Sequence, residues 1–285
     1  MPTLWTDTTR DSPPLLEYSS VNQNDQAFLE MLEAVWEFGL CFLRGAPPVP
    51  DTLSTLAVKI GPIQESNFGQ VQNLVVDFSK QSVANRTVAL KPHTDEPYRA
   101  SPPGLLMFHC IETDVAGSGS SIFMDGFELA EALRNEDPDG FNALATLRQP
   151  FRRYFADDVD LLTEFPILSV DEFGNLMGIR LNDRVGSPLS LPYDQMETYY
   201  RALKRLLDLA EDKNRMLSLT LTPGDIAIFD NHRILHGRTE LTMAGRRWLQ
   251  WLQVERGDFY SRLRILAKRS GPITPSRLWL RGAYG

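Results

Sequence analysis

The chain has 285 residues, 42% of them hydrophobic, so it can bury a substantial core as one large domain or two modest ones. Its 29 basic and 37 acidic residues give a net charge of -8, which argues against a surface that follows a nucleic-acid backbone. The chain shows no apolar leader, no apolar run of about 18 residues and only two cysteines. We therefore expect a cytoplasmic protein with two buried thiols, Cys41 and Cys110, that binds a small molecule and neither nucleic acid nor membranes.

The first half of the chain predicts one helix followed by short strands. The helix lies in NDQAFLEMLEAVWEFG, with Asn24 or Asp25 as its N-cap and Gly39 at its end. Its apolar face is formed by Phe28, Leu29, Leu32, Val35 and Trp36. Apolar runs bounded by turn residues predict strands in LCFLRG, in NLVVDF (73–78), in GLLMFHCI (104–111) and in SIFMDGF (121–127).

The second half mixes helices and strands. DGFELAEALRNEDPDGFNAL predicts two short helices separated at Pro138, and FPILSV and NLMGIRL predict strands. YDQMETYYRALKRLLDLAED predicts a helix lying against a sheet, with an apolar face of Met196, Tyr199, Tyr200, Leu203, Leu206, Leu207 and Ala210. Three more strands are predicted after it, with a turn at Pro223 and Gly224.

The order of these elements predicts a mainly β fold with flanking helices. Short strands outnumber the helices and do not alternate with them one for one, which disfavours a doubly wound parallel sheet or an eightfold α/β barrel. A closed or double-sheet jelly roll fits better. Because there is no internal repeat or clear linker, we expect residues 1–285 to form a single catalytic domain.

Two stretches contain the candidate metal ligands. In LKPHTDEPYR, His93 and Asp95 occupy alternate positions of an extended segment, so their side chains project to the same side. FDNHRILHGR supplies His232 and His236 as candidates for a third ligand. Two histidines and one carboxylate form the facial triad that binds Fe(II), but a zinc hydrolase can use the same three residue types.

Arg247 favours the oxygenase. GRRWLQWL alternates, so Arg247 shares a strand face with Leu249 and Trp251. A buried arginine on an apolar face is costly unless it meets an anion, and its planar fork suits a carboxylate. An oxygenase that chelates iron with the keto-acid end of 2-oxoglutarate needs such a cation for the distal carboxylate, whereas a hydrolase does not.

Three longer motifs carry a family resemblance. They are KPHTDEPYRASPPGLLMFHCIETDVAGSGSSIFMDGF, PGDIAIFDNHRILHGR and RRWLQWLQVERGDFYSRLRIL. Over about residues 30–268 the chain resembles the Fe(II)/2-oxoglutarate oxygenases of the taurine dioxygenase superfamily, and within them the gamma-butyrobetaine and trimethyllysine dioxygenase branch. That branch has an additional amino-terminal zinc-binding module, which we expect to be missing because no cysteine cluster precedes the catalytic region.

The resemblance implies a fold, a set of cofactors and a reaction. The fold is a double-stranded β-helix, and Fe(II) is bound by His93, Asp95 and His236. Arg247 pairs with the distal carboxylate of 2-oxoglutarate, helped by the hydroxyl of Ser121. With O2 as co-substrate, the enzyme hydroxylates an unactivated C–H bond of a small polar substrate and releases succinate and CO2. Desaturation, or cleavage next to a heteroatom, remains an alternative outcome.

The substrate residues depart from the branch's pattern. The positions that match its aromatic cage for a trimethylammonium group are Phe68, Gln72, Asn85 and Glu96. Only one of them is aromatic, so we do not expect a quaternary-ammonium cage. Glu96 is expected to pair with an amine, the alternative being that it faces solvent, and Asn182 and Arg184 of RLNDR are expected to bind an anionic end. The predicted substrate is thus of amino, betaine, carboxylate or phosphonate type.

Other interpretations and assignments also stay open from the sequence. A metal-dependent hydrolase using the same three ligands, or a degenerate binding module on the same fold, would retain these motifs. By the resemblance His232 is a neighbour of the metal site and not a ligand. His109, between Phe108 and Cys110 of an apolar strand, is expected to be a hydrogen-bonded core histidine. We expect the protein to form a homodimer.

Overall fold

Two β-sheets face each other in the structure, a computed structural model that describes residues 2–75, 88–113, 119–155, 158–241 and 247–271. In spatial order, the larger sheet consists of β1 (Leu15–Glu17), β2 (Leu40–Arg44), β12 (Ile226–Asp230), β5 (Leu105–Glu112), β14 (Trp248–Val254) and β3 (Gln72–Val75). The smaller sheet consists of β11 (Leu217–Leu219), β6 (Ser121–Asp125), β13 (Ile234–Arg238) and β4 (Leu90–His93). All neighbouring strands in these sheets are antiparallel except β1 and β2.

Two hairpins and a set of helices complete the described part of the chain. The hairpins are β7 (Gln149–Phe155) with β8 (Val159–Phe165), and β9 (Leu168–Val170) with β10 (Leu176–Ile179). The helices are α1 (Asp7–Asp11), α2 (Tyr18–Gln23), α3 (Asp25–Phe38), α4 (Thr52–Ile60), α5 (Gly126–Glu136), α6 (Pro138–Thr146), α7 (Tyr193–Ala210) and α8 (Arg256–Arg269), with a 3-10 turn at Lys213–Arg215.

The signals at the ends of the predicted helices are confirmed. The side chain of Asn24 accepts hydrogen bonds from the backbone N–H groups of Gln26 and Ala27 at the start of α3. Gly39 ends the helix in the left-handed region with φ 77, where a Cβ would also lie 2.7 Å from Ile234. Pro138 is the first residue of α6, a position where its missing N–H costs nothing.

Three buried clusters fill the spaces between the layers. One lies between the two sheets and includes Phe42, Phe123 and Phe229, whose rings meet edge to face. A second lies between the larger sheet and α2, α3, α4 and α8, and a third between the smaller sheet and α5, α6 and α7. Because both faces of β12 are covered, all five of its residues are buried, which explains its continuous apolar run. Cys41 and Cys110 are both free and buried, as predicted.

Several details differ from the sequence-based expectations. Helix α7 packs mainly on α5 and α6, and its sheet contact is with the β7–β8 hairpin, where the hydroxyl of Tyr199 donates to Oε1 of Gln149 at 2.8 Å. The carboxyl-terminal part has four strands where three were predicted, because the short β11 pairs with β6. The hairpin of β7 and β8 was not predicted, and neither were α4 and α8. In NLVVDF, the strand extends to Val75, and residues 76–78 lie outside the described part.

Within the described residues, no helix combines the length and apolar character needed to cross a membrane.

Candidate active site

A cavity of about 740 Å3 lies between the two sheets. The smaller sheet contributes His93, Ser121, His236 and Arg238 to its wall. The larger sheet contributes Gln72, Phe108, Leu249 and Trp251, and Arg247 lines it immediately before β14. The cavity therefore adjoins side chains from both sheets.

The predicted metal ligands converge in this cavity. His93 ends β4 and lies opposite His236 of β13, with ring centroids 4.5 Å apart. The Oδ1 atom of Asp95 is 3.3 Å from Nε2 of His93, and its Oδ2 atom is 3.5 Å from Nε2 of His236. One ligand atom from each of the three residues lies within 4.8 Å of the others. Two imidazoles and a carboxylate at this separation fit an Fe(II) ion with one side left for other ligands.

Neighbouring groups orient both histidines. Nδ1 of His93 lies 2.8 Å from the carbonyl oxygen of Lys91. A carbonyl oxygen only accepts, so Nδ1 carries the proton and the lone pair of Nε2 is left for a metal. The ring of His236 packs against Phe108 and Phe229, with centroid distances of 5.5 and 5.0 Å. These contacts fix the imidazoles before any ion binds.

The charge states also suit metal ligands. Burial, followed by the neighbouring His236, lowers the pKa of His93, so its imidazole is neutral near pH 7. Burial would raise the pKa of Asp95, but His236 above all, together with His93, holds that pKa well below its usual range. A neutral imidazole at His93 and an ionised carboxylate at Asp95 are the forms that bind a cation.

The backbone around Asp95 is held by side chains from other elements. Oδ1 of Asn231 accepts the backbone N–H of Asp95 at 2.8 Å, and Nδ2 of Asn231 donates to the Asp95 carbonyl at 3.1 Å. The same Nδ2 also donates to the carbonyl of Pro103 at 3.1 Å. Thr94 exchanges hydrogen bonds with Leu181. Asn231 was not among the predicted site residues, and the signal available for it is its position as a polar residue directly after the buried strand β12.

Arg247 and Ser121 line the same cavity as the triad. The side chain of Arg247 is buried, and burial lowers its pKa to about 10, so it remains cationic near neutral pH. No acidic side chain among the described residues forms an ion pair with it. As predicted from the alternation, Arg247 shares the cavity-facing side with Leu249 and Trp251. The arrangement leaves a buried cation beside the triad for an anion.

Most of the predicted substrate residues also lie in the cavity wall. These are Phe68, Gln72, Glu96, Asn182 and Arg184. Asn85 lies outside the described residues. Glu96 is only 5% exposed, so the alternative in which it faces solvent is wrong. Asn182 donates to the carbonyl of Thr94 at 3.2 Å, and its Oδ1 accepts from the backbone and Nε of Arg184, both at 3.3 Å.

The structure adds lining residues that the sequence analysis missed. Arg153 of β7 lies in the wall, and its guanidinium stacks over Phe155 at 4.3 Å. Phe155 in turn contacts Phe68 edge to face at 5.5 Å. Burial lowers the pKa of Arg184, and Arg153 contributes to that lowering as a nearby cation. Tyr98 also lines the cavity, and burial together with Glu96 raises its pKa. The signal for Arg153 was the alternation of Phe151, Arg153 and Phe155 in the unrecognised hairpin.

The other two histidines stand apart from the triad. His232 is not among the three converging ligands, which agrees with its predicted exclusion, and its backbone N–H donates to Oδ1 of Asp230 at 2.9 Å. His109 is fully buried, as predicted, but the expected hydrogen bond is wrong. Neither of its ring nitrogens has a partner among the residues described. The reason is its place on β5, which faces the apolar cluster under the helices.

Comparisons with known proteins agree with this geometry. The model of the "Taurine catabolism dioxygenase TauD, TfdA family" matches residues 8–253, beginning and ending earlier than the resemblance seen in the sequence. Gamma-butyrobetaine dioxygenase from Pseudomonas sp. (strain AK-1) is 34% identical over 258 residues, covering 90% of this chain and 67% of the relative. Trimethyllysine dioxygenase from Meyerozyma guilliermondii is 30% identical over 259 residues, covering 90% of this chain and 64% of that protein. The chain thus spans about two thirds of the length of these relatives.

A solved structure supports the fold. The crystal structure of asparagine oxygenase in complex with Fe(II), 2S,3S-3-hydroxyasparagine and succinate superposes with a TM-score of 0.63 at 19% identity, covering 84% of this chain and 80% of that one. At this identity the likeness concerns the fold alone. It confirms the predicted double-stranded β-helix with flanking helices.

Proposed function

Because the chain belongs to the taurine catabolism dioxygenase TauD, TfdA family, we propose that it hydroxylates an unactivated C–H bond of a small polar substrate. Family membership confirms the predicted enzyme class, a dioxygenase that depends on Fe(II), 2-oxoglutarate and O2. The substrate class, the roles of the individual residues and the organisation as a single catalytic domain belong to the proposal.

One observation carries the proposal: the converging triad and the buried Arg247 line a single cavity. We assign Fe(II) to His93, Asp95 and His236, and the distal carboxylate of 2-oxoglutarate to Arg247 with the hydroxyl of Ser121. Two features support this assignment. The triad's ligand atoms converge on one point, and Arg247 is a desolvated cation with no acidic partner among the described side chains.

The chain's own residues bind, orient and shield the reactants. Bound Fe(II), with 2-oxoglutarate and O2, supplies the oxidation that converts C–H to C–OH and yields succinate and CO2. Arg247 neutralises the distal carboxylate and fixes the direction of the co-substrate. Phe108 and Phe229 pack against His236 and keep water from that side of the site.

The substrate's anionic end is assigned to a pair of arginines. Arg184, positioned by Asn182, and Arg153, positioned by Phe155, both line the cavity, and neither forms an ion pair with a described acidic side chain. The charge of Arg153 lowers the pKa of Arg184, which shows that the two guanidinium groups repel each other. A bound anion relieves this repulsion. A carboxylate or phosphonate on the substrate supplies that anion.

The proposal is tested by incubating the purified protein with Fe(II), 2-oxoglutarate, O2 and a panel of amino, betaine, carboxylate and phosphonate compounds. Succinate release and the product mass are measured, and the mass separates hydroxylation from desaturation or cleavage. Arg153→Gln should raise KM for an anionic substrate by about tenfold. The matched control is Arg152→Gln, whose side chain lies on the exposed face of β7 in an ion pair with Asp160 and should leave KM unchanged. Absence of Fe(II)-dependent succinate formation with every compound would contradict the proposal.

The predicted homodimer and cytoplasmic location stay predictions. Light scattering on the purified protein gives the mass of the assembly directly.

A further inference from the structure

Glu96 adopts an unusual backbone conformation next to a proposed metal ligand. It follows Asp95 directly and has φ 50, in the left-handed region that side chains other than glycine rarely enter. Such a conformation is strained and persists only where the surroundings impose it. The result is a carboxylate that is 5% exposed in the cavity wall and does not point to solvent.

Only one of the two carboxylate oxygens of Glu96 accepts a hydrogen bond from a described residue. Nε of Arg99 donates to Oε2 of Glu96, and Nη2 of Arg99 donates to Oδ1 of Asn67. The backbone N–H of Arg99 also donates to the Glu96 carbonyl at 3.0 Å, which closes the turn. Oε1 of Glu96 is buried and has no partner among the described residues. A buried carboxylate oxygen without a donor is destabilising, so a donor is expected when the site is filled.

The cavity wall carries both acidic and basic side chains. Glu96 and Asp95 are adjacent in sequence and contribute the two acidic side chains of the described wall. Arg153 and Arg184 provide cations, and neither hydrogen-bonds to Glu96. A wall with carboxylates, and with guanidinium groups that form no ion pair with a described acidic side chain, complements a small zwitterion.

Resting on the dioxygenase function proposed above, we propose that Oε1 of Glu96 accepts a hydrogen bond from an N–H-bearing ammonium group, which makes the substrate a primary, secondary or tertiary amine with an anionic end. A trimethylammonium group has no N–H, so it leaves Oε1 without a donor even where charge and aromatic rings attract it. The substrate class therefore differs from the trimethylammonium compounds in the names of the two relatives above.

Binding of a methylation series tests the proposal. The probes are 4-aminobutanoate with its mono-, di- and trimethylated forms, the last being gamma-butyrobetaine, and 2-aminoethylphosphonate with the same methylations. Affinity for the protein loaded with Fe(II) and 2-oxoglutarate is measured anaerobically by calorimetry. In at least one series the primary amine should bind about 10- to 100-fold more tightly than the trimethylated form. The affinity should fall between the dimethylated and the trimethylated form.

Two results would overturn the proposal: a trimethylated form that binds as tightly as its primary amine in both series, or no binding of any N–H-bearing probe. Succinate formed without a probe is measured in parallel. A protein that forms succinate but shows no amine preference loses only this inference, whereas one that forms none with any compound loses the dioxygenase function.

A substitution assigns the preference to Glu96. Glu96→Gln keeps the shape of the side chain but removes its charge, so the preference for the primary amine should fall to about threefold or less. Glu65→Gln is the matched control, because Glu65 is exposed and does not line the cavity. An unchanged preference in folded Glu96→Gln overturns the assignment. If that variant fails to fold, the methylation series on the native protein still decides the substrate class.

Discussion

At the scale of single residues, Asn231 holds the backbone of the proposed metal ligand Asp95. Its amide binds both backbone polar groups of Asp95 and also the carbonyl of Pro103. These three bonds fix the direction in which the Asp95 carboxylate leaves the backbone. Because a metal site needs its ligands placed to within about 0.5 Å, we infer that Asn231 acts on iron binding through Asp95.

Replacing Asn231 should therefore weaken metal binding more than it weakens the fold. Asn231→Ala is expected to lower Fe(II) affinity by about 10- to 100-fold, measured by anaerobic titration. Asn231→Asp retains the acceptor for the Asp95 N–H but loses the donor. Its Fe(II) affinity should therefore lie between those of Asn231→Ala and the native protein. Asn142→Ala, at an exposed position of α6, is the control. Equal Fe(II) affinity in Asn231→Ala and the native protein would show that Asn231 has no positioning role.

His109 makes the protein sensitive to acid. Burial lowers its pKa from 6.5 to about 4, so on acidification the unfolded chain takes up this proton before the folded protein does. Stability is thus lost as the pH falls from 6.5 towards 4. His109→Met removes this contribution and should reduce the acid-induced loss of unfolding free energy by roughly 2–3 kcal/mol. Urea denaturation of both proteins across that range measures the difference, and parallel pH profiles would contradict the assignment.

At the scale of elements, a buried ion pair fastens the amino-terminal segment to the start of β13. Arg233 contacts both carboxylate oxygens of Asp125, at 2.9 and 2.7 Å, and donates to the carbonyls of Thr3 and Glu37. Asp125 also accepts the backbone N–H of Trp5 and caps α5. One pair thereby joins four separate segments beside the strand that carries His236.

Removal of Asp125 should destabilise the fold strongly. Asp125→Ala leaves Arg233 buried without its partner, and the expected loss of unfolding free energy is about 3–5 kcal/mol. Asp160→Ala is the matched control, since Asp160 forms a similar two-bonded pair with Arg152 on the surface and should change stability little. Chemical denaturation of the two variants gives the comparison. Similar losses of unfolding free energy in the two variants would show that burial of the Asp125–Arg233 pair does not increase its contribution to stability.

The elements predicted from the sequence are those in which one physical signal dominates. Helix α3 has clear caps, and β5 and β12 are apolar on both faces. The β7 and β8 strands were missed because Gln149 and Phe151 are their only buried residues, so neither strand contains a continuous apolar run. Helix α8 was missed because basic residues interrupt its buried stripe of Phe259, Leu263 and Leu266.

In the candidate site, too, only the residues with a strong sequence signal were predicted. His93, Asp95, His236 and Arg247 carry motifs whose order and spacing fit one family, and the structure places all four around one cavity. Arg153 and Asn231 could not be assigned in this way. Their roles arise from which loops and hairpins meet in space, so the alternation around Arg153 and the position of Asn231 after β12 do not identify their partners.

At the scale of the whole molecule, the proposed site joins the two sheets. The triad belongs to the smaller sheet and the loop after β4, whereas Arg247 directly precedes β14 of the larger sheet. A 2-oxoglutarate molecule bound as proposed therefore contacts both sheets at once. Substitutions can therefore separate metal binding from co-substrate orientation, because the three proposed metal ligands and Arg247 lie on different elements.

Anaerobic addition of Fe(II) and 2-oxoglutarate tests this account most directly, by the visible charge-transfer band of the iron chelate of 2-oxoglutarate. The native protein should show the band, and Asp95→Ala should lose it together with Fe(II) binding. Arg247→Ala should still bind Fe(II) but need at least about tenfold more 2-oxoglutarate to develop the band. Absence of the band in the native protein, or an Arg247→Ala variant with unchanged 2-oxoglutarate affinity, would contradict the account.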